Sequence, residues 1–77
     1  MNNNQKELIN RIVTMLEIDM KDFDENFLFD SSNLDSLAVL TLMASIDELF
    51  NVQISSDEIF SSKIIPGIFN LIDKKSI

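Results

Sequence analysis

The sequence lacks the two residue types that most often build catalytic and metal sites. It has no cysteine and no histidine, so disulfide bonds, thiolate metal sites and serine–histidine triads are excluded within its 77 residues. A single glycine and a single proline argue against long disordered stretches. No apolar run is long enough to span a membrane, and the start of the chain lacks the apolar core of a signal peptide. We therefore expect one cytoplasmic domain over residues 1–77, without membrane insertion.

Basic residues are missing from the middle of the chain. Thirteen acids and six bases give a net charge of −7, and no lysine or arginine occurs from Asp22 to Ser62. Such a charge repels nucleic acid and anionic lipid, and it favours partners with basic patches. The alternative is that the acids only keep a small domain in solution. The nine acids of that interval are Asp22, Asp24, Glu25, Asp30, Asp35, Asp47, Glu48, Asp57 and Glu58.

Apolar periodicity predicts a first helix over residues 4–18, with Asn4 as its cap and Glu7 three residues later. The second helix is predicted over residues 36–51. It is apolar over more than one face, so it is either buried or leaves apolar positions for a partner. Between them, residues 19–35 form a long loop that apolar side chains should hold in place. These side chains are Phe23, Phe27, Leu28, Phe29 and Leu34.

Two shorter patterns complete the fold prediction. Ser55 and Glu58 have capping-box spacing at the start of a short helix. Pro66 suits the first turn of a final helix over residues 65–75. The sequence therefore predicts an all-α fold: a small bundle of three main helices plus one short helix, with a long loop between helices 1 and 2.

Two kinds of chemistry receive little support. Asp22, Asp24 and Asn26 are spaced like the start of a calcium-binding loop, but Phe27 stands where the turn needs glycine and Asn33 where a bidentate glutamate is needed. A serine nucleophile needs a base to accept its proton, and only carboxylates and lysines are available. We expect no catalytic residue and no bound metal.

The segment Leu34-Asp35-Ser36-Leu37 is the third candidate. Asp35 is a natural N-cap, which would put Ser36 at the first helical position with its hydroxyl facing out. A phosphate ester there would lie at the positive end of the helix dipole, near unpaired N–H groups. Asp35 could help to hold a magnesium ion during phosphate transfer. Taken alone, the Asp-Ser pair fits an ordinary helix start better, since these are the commonest capping residues.

The surroundings of Ser36 resemble the acyl carrier and peptidyl carrier protein family, from about Glu7 to Lys74. The matching features are Leu34-Asp35-Ser36-Leu37 after a long loop, Ala38-Val39-Leu40-Thr41-Leu42-Met43, Ile46-Asp47-Glu48-Leu49-Phe50, Val52-x-Ile54, a short acidic helix and an amphipathic terminal helix.

The resemblance implies a cofactor and a set of partners. A phosphopantetheinyl transferase would move 4′-phosphopantetheine from coenzyme A to Ser36, with Asp35 in support, and the thiol of the arm would carry acyl or aminoacyl groups as thioesters. Acyl-loading and acyl-using enzymes with basic patches would then dock on a monomeric carrier. The implied docking contacts are Leu37, Leu40, Asp47 and Glu48.

The chain departs from the family pattern at several positions. A glycine usually shortly precedes the Asp-Ser pair, where this chain has Ser32-Asn33, and asparagine tolerates positive φ next best after glycine. Ala38 and Thr41 stand where fatty-acid-type carriers are acidic, and Ile64 where a Ser or Thr often caps the last helix. We therefore expect a stand-alone acyl carrier of a specialised pathway. A D-alanyl or peptidyl carrier is the alternative, and a helical interaction module without the arm is the alternative from another class.

Overall fold

A computed structural model describes residues 2–76 of the chain. In this range the helices are α1 (Asn3–Leu16), a 3₁₀ helix (Met20–Asp22), α2 (Ser36–Phe50), α3 (Ser56–Ser62) and α4 (Ile65–Lys75). No strand occurs among these residues, which confirms the predicted all-α fold and the long loop before α2. No helix in the described range is both long and apolar enough to cross a membrane.

The capping box of α1 lies two residues before the predicted position. Asn2 Oδ1 accepts a hydrogen bond from the Gln5 amide at 2.8 Å, and Gln5 Oε1 accepts one from the Asn2 amide at 3.1 Å. The prediction of Asn4 as the cap is therefore wrong. Asn4 instead donates from Nδ2 to the Leu49 carbonyl at 2.9 Å, which joins the start of α1 to the end of α2.

Two helices end at residues with positive φ. Glu17 has a φ of 56° and stops α1 at Leu16, so the predicted end at residue 18 is too long. Asn51, also at 56°, stops α2 after Phe50, one residue before the predicted end. Asparagine adopts this left-handed conformation readily, whereas glutamate adopts it at some cost in free energy.

The two C-terminal helices begin where the sequence predicted. The amide of Glu58 donates to Ser55 Oγ at 3.2 Å and the amide of Ser55 to Glu58 Oε1 at 3.0 Å, which confirms the capping box of α3. Ile64 makes no side-chain cap at the start of α4. Lys75 reaches from the end of α4 to Glu58 Oε1 at 2.8 Å and to the Gln53 carbonyl at 3.0 Å, which ties α4 to α3.

α2 lies at the centre of the bundle, because it packs against both α1 and α3, and α3 packs on α4. Each fully buried aliphatic or phenylalanine side chain contributes about 1.5–3 kcal/mol to folding. The core draws side chains from all four helices, the loop and the α2–α3 connection. Its members are Leu8, Ile12, Val13, Phe23, Phe29, Leu34, Ala38, Val39, Leu42, Ile46, Val52, Ile54, Ile59, Ile65, Ile68 and Ile72.

The joint between α3 and α4 explains the single glycine. A Cβ atom on Gly67 would lie 2.5 Å from the Ser62 carbonyl oxygen, so the two helices can approach this closely only without a side chain there. Lys63, between them, has φ 67° and ψ −44°. The Ile64 amide bonds to the Ser62 carbonyl at 2.7 Å, which closes a tight three-residue turn around Lys63.

The close contact at Gly67 predicts an unusual response to alanine. Helix propensity alone would make Gly67→Ala stabilising by up to about 1 kcal/mol. We expect the clash with the Ser62 carbonyl to reverse the sign and to lower the free energy of unfolding by about 1–3 kcal/mol. Urea denaturation measures this, with Asn70→Ala, at an exposed position of α4, as the control that should not destabilise. A more stable Gly67→Ala protein would contradict the packing of this joint.

Candidate functional site

Three phenylalanine rings pack the loop that leads to α2. The ring centroid of Phe27 lies 5.2 Å from that of Phe23, in a tilted arrangement, and 5.6 Å from that of Phe29. The Phe23 and Phe29 centroids are 6.2 Å apart, and Phe29 meets both other rings edge-on. Phe29 is 1% exposed, and its amide donates to the Lys63 carbonyl at 2.7 Å. Leu28 is 49% exposed, so the prediction that it helps to hold the loop is wrong.

Asp30 shapes the turn that precedes the candidate serine. Its Oδ1 accepts hydrogen bonds from Ser32 Oγ at 2.6 Å and from the amides of Ser32 and Asn33 at 3.1 and 3.2 Å. Asn33 Nδ2 donates to the Leu28 carbonyl at 2.8 Å. Neither Ser32 nor Asn33 has positive φ, so the expected substitution of asparagine for a left-handed glycine is wrong. The Asp30 carboxylate holds the turn instead.

The hydrogen bonds at Asp30 lower its pKa. The Ser32 hydroxyl has the largest effect, desolvation opposes it, and the two backbone amides add to it. A carboxylate whose pKa is lower in the folded state stabilises that state above its unfolded pKa, and this contribution is lost as the pH falls through the folded pKa. The turn should therefore hold at neutral pH and loosen only in acid.

This pKa effect can be measured by NMR. The amide shifts of Ser32 and Asn33 should titrate together, with a midpoint below that of an ordinary aspartate. Ser32→Ala should move the midpoint upward, because it removes the largest cause of the shift. The matched control is Ser31→Ala, at the neighbouring exposed serine, which should leave the midpoint in place. Equal midpoints in all three proteins would contradict the arrangement.

Ser36 is the first residue of α2 and is exposed. Asp35 caps the helix as predicted: its Oδ1 accepts from the Ala38 amide at 2.8 Å, and its carbonyl accepts from the Val39 amide at 3.0 Å. The amides of Ser36 and Leu37 lie in the first turn, which offers them no helical partner. The hydroxyl thus stands at the positive end of a long helix, beside donors that suit a phosphate.

One face of α2 stays exposed beyond Ser36. Leu37 and Leu40 are 71% and 61% exposed, more than any other large apolar side chain among residues 2–76. Ala44 and Asp47 continue this face at helical spacing and are exposed too. The structure therefore gathers Ser36, Leu37, Leu40 and Asp47 on one accessible side of the helix.

Glu48 differs from its neighbour Asp47. Arg11 of α1 donates from Nη2 to Glu48 Oε1 at 3.0 Å and from Nε to Glu7 Oε2 at 3.2 Å. The hydrogen bond from Arg11, and then its charge, lower the pKa of Glu48, and the two glutamates raise the pKa of Arg11. The sequence assigned Asp47 and Glu48 the same role, but the structure pairs only Glu48 with α1.

The acidic loop shows no metal geometry in the described range. Among residues 2–76, no group of three or more aspartates, glutamates, histidines or cysteines is placed to hold a metal ion. Asp24 Oδ1 instead accepts from the Asn26 amide at 2.8 Å, so two of the three calcium-like positions form a local turn.

Comparison with known proteins identifies the family. The family model of the phosphopantetheine attachment site matches residues 6–68. The chain belongs to this family. Its domains are carriers, not catalysts, and hold 4′-phosphopantetheine on a serine. No curated protein sequence matches the chain significantly.

The fold of this carrier domain is similar to that of a chain in a solved solution structure. That structure is of a non-covalent extended docking domain complex of the Pax NRPS, PaxA T1-CDD/PaxB NDD. The two share 26% identity with a TM-score of 0.80, over 99% of this chain and 71% of that chain.

Two residues that shape the carrier site were missed in the sequence. Asp30 has a local signal, because aspartate two residues before serine often forms a side-chain turn. For Arg11 the sequence predicts one of its two ion pairs, the one with Glu7, because Glu7 lies four residues before it. The ion pair of Arg11 with Glu48 leaves no pattern in the sequence, because only the packing of α1 on α2 brings the two side chains together.

Proposed function

We propose that this carrier domain holds its 4′-phosphopantetheine arm on Ser36 and presents bound acyl or aminoacyl groups to partner enzymes. The observation that carries the proposal is the position of Ser36: exposed, first in α2, directly behind the Asp35 cap. The arm, when attached, supplies a thiol that carries such groups as thioesters. We propose one carrier domain over residues 1–77; its monomeric state and cytoplasmic location remain predictions.

The residues around Ser36 fit the phosphate of such an arm. Within residues 2–76 no carboxylate accepts a hydrogen bond from the Ser36 hydroxyl, and the neighbouring Asp35 accepts from the Ala38 amide instead. The free amides of the first turn and the helix dipole favour a phosphodiester on this hydroxyl. The support that we assign to Asp35 is therefore mainly positional, because it fixes where the helix begins.

The chain contains its own control for the attachment experiment. Ser56 is also the first residue of a helix, α3, and follows a side-chain cap, Ser55. Both serines are exposed. If a helix-start serine were sufficient, the transferase would modify both. We propose that only Ser36 is modified, because it alone lies between the packed loop and the exposed apolar face of α2.

Intact-mass measurement tests the assignment. The apo protein is incubated with coenzyme A and a broad-specificity phosphopantetheinyl transferase. One adduct should form on the original chain and on Ser56→Ala, and none on Ser36→Ala. Ser36→Ala should fold normally because the residue is exposed. An adduct on Ser36→Ala, or none on the original chain, would reject the proposed site.

The class of acyl group that the arm carries is a separate proposal. The sequence favours an acyl carrier of a specialised pathway. The similarity to the NRPS structure instead supports the aminoacyl or peptidyl alternative. On the exposed face of α2, the half nearest Ser36 is uncharged, because it presents Leu37, Leu40 and Ala44. Fatty-acid-type carriers are acidic along this helix, so an uncharged face agrees better with the aminoacyl or peptidyl alternative. We propose an aminoacyl or peptidyl cargo, D-alanyl included, as the first to test, with acyl groups that lack an amino group as the comparison.

The exposed face of α2 is the proposed docking surface. Leu37 and Leu40 supply apolar contact next to Ser36, and Asp47 supplies a charge for a basic patch on the enzyme. Glu48 contributes less, because it pairs with Arg11, which Glu7 shares. The docking surface should therefore be mainly apolar, with Asp47 as its chief acidic contact.

Kinetics at different salt concentrations separate these contributions. With a cognate enzyme, Asp47→Asn should slow association at low ionic strength, with the difference shrinking as salt increases. Glu48→Gln should change it less, and Leu37→Ala should speed dissociation at all salt concentrations. Thermal unfolding of Leu37→Ala should change little, because Leu37 is 71% exposed. Equal effects of the two acidic substitutions would contradict the role of Arg11.

A further inference from the structure

A groove of about 600 Å³ lies between α1, the loop around the 3₁₀ helix and the start of α4. Its apolar lining comes from all three elements: Ile9, Met20, Phe23, Ile65, Pro66 and Phe69. None of its lining residues belongs to α2. The groove is therefore a different surface from the proposed docking face beside Ser36.

The fold leaves apolar surface uncovered in this groove. Phe23 and Ile65 are buried and form its floor, whereas Ile9 and Phe69 are half-buried. Met20 is 47% exposed, one of few large apolar side chains outside α2 with so much exposure in the described range. A concave apolar surface built from separate elements is typical of a binding site, whereas a lone exposed methionine is not.

The charges at the rim indicate what would bind. Asp24 and Glu25 line the loop wall of the groove, and Lys6 lines the α1 wall. Residues 19–25 hold four acids and one lysine, and that lysine lies 4.0 Å from Asp19. Within residues 2–76, neither Asp24 nor Glu25 forms an ion pair. Their charges are available to attract a cation.

We propose that the groove binds a cationic amphipathic helix of a partner protein. Apolar side chains of that helix lie over Phe23 and Ile65, and lysines or arginines on one flank face Asp24 and Glu25. Its other flank, facing Lys6, is polar or acidic.

Binding at the groove is compatible with carrier function. Because α2 contributes nothing to the groove, a partner helix there leaves Ser36 and the Leu37–Asp47 face accessible. The helix would tether the carrier to one protein while others use the arm. The groove is small, so the tether is a transient contact and not a permanent subunit interface.

An NMR titration of the full, isotopically labelled chain tests the proposal. The probe is a synthetic peptide of about four helical turns, with leucines on one face and lysines along one flank. We expect amide shifts at Ile9, Met20, Glu25 and Phe69 and none along α2. A peptide with glutamates in place of the lysines should bind about tenfold more weakly, with the difference shrinking at high salt.

Matched double variants separate the two surfaces. Met20→Ser with Glu25→Lys alters the groove, and Leu40→Ser with Asp47→Lys makes the same kind of change on α2. All four side chains are exposed, so both proteins should fold. The groove variant should weaken peptide binding by about tenfold. The α2 variant should change it by less than about twofold.

Several results would overturn the proposal. These are shifts confined to α2, equal binding of the two peptides, or equal losses in the two double variants. If the chain self-associates with increasing concentration and the shifts occur at Ile9 and Phe69, a second copy of the chain is the occupant of the groove. If loading a cargo on the arm shifts Ile9 and Phe69, the cargo is the occupant. Ser36→Ala should bind the peptide unchanged. Failure of the original chain to accept the arm, with peptide binding retained, would therefore count against the carrier assignment alone.

Discussion

The hydrogen bond from the Phe29 amide to the Lys63 carbonyl, at 2.7 Å, ties the long loop to the joint between α3 and α4. Apart from one short 3₁₀ helix, residues 19–35 have no regular structure of their own, so their course depends on such ties. The Phe29 ring extends the attachment into the core through Phe23 and Phe27. Since the chain passes from Phe29 through the Asp30 turn to Asp35, the position of Ser36 follows from where Phe29 is held.

The joint itself depends on two backbone features. Lys63 takes a conformation that costs a residue with a side chain about 1–3 kcal/mol. Gly67 lets α4 approach the Ser62 carbonyl, which already accepts the Ile64 amide. Together they turn the chain sharply between α3 and α4. This turn directs the Lys63 carbonyl toward the loop, where the hydrogen bond from the Phe29 amide and the burial of the Phe29 side chain offset the strain at Lys63.

The acids of the chain divide into those that hold the fold and those that remain free. Asp30 and Asp35 accept backbone amides, and Glu48 and Glu58 pair with Arg11 and Lys75. A net charge counts all of these equally, although their availability to a partner differs. Among the described acids that form no ion pair, Asp47 lies on the exposed face of α2, and Asp24 and Glu25 line the groove, where Asp24 also accepts the Asn26 amide.

By itself the sequence determined the four helices, the capping box at Ser55 and Glu58, and the place of Ser36 behind its cap. These features depend on residues three or four positions apart, and such spacings can be recognised in a sequence. Only the tertiary structure decided that Asn4 binds α2, that Arg11 pairs with Glu48, and that Lys63 takes positive φ. Those outcomes depend on distant partners or on crowding at a joint, which exist only after the helices have packed.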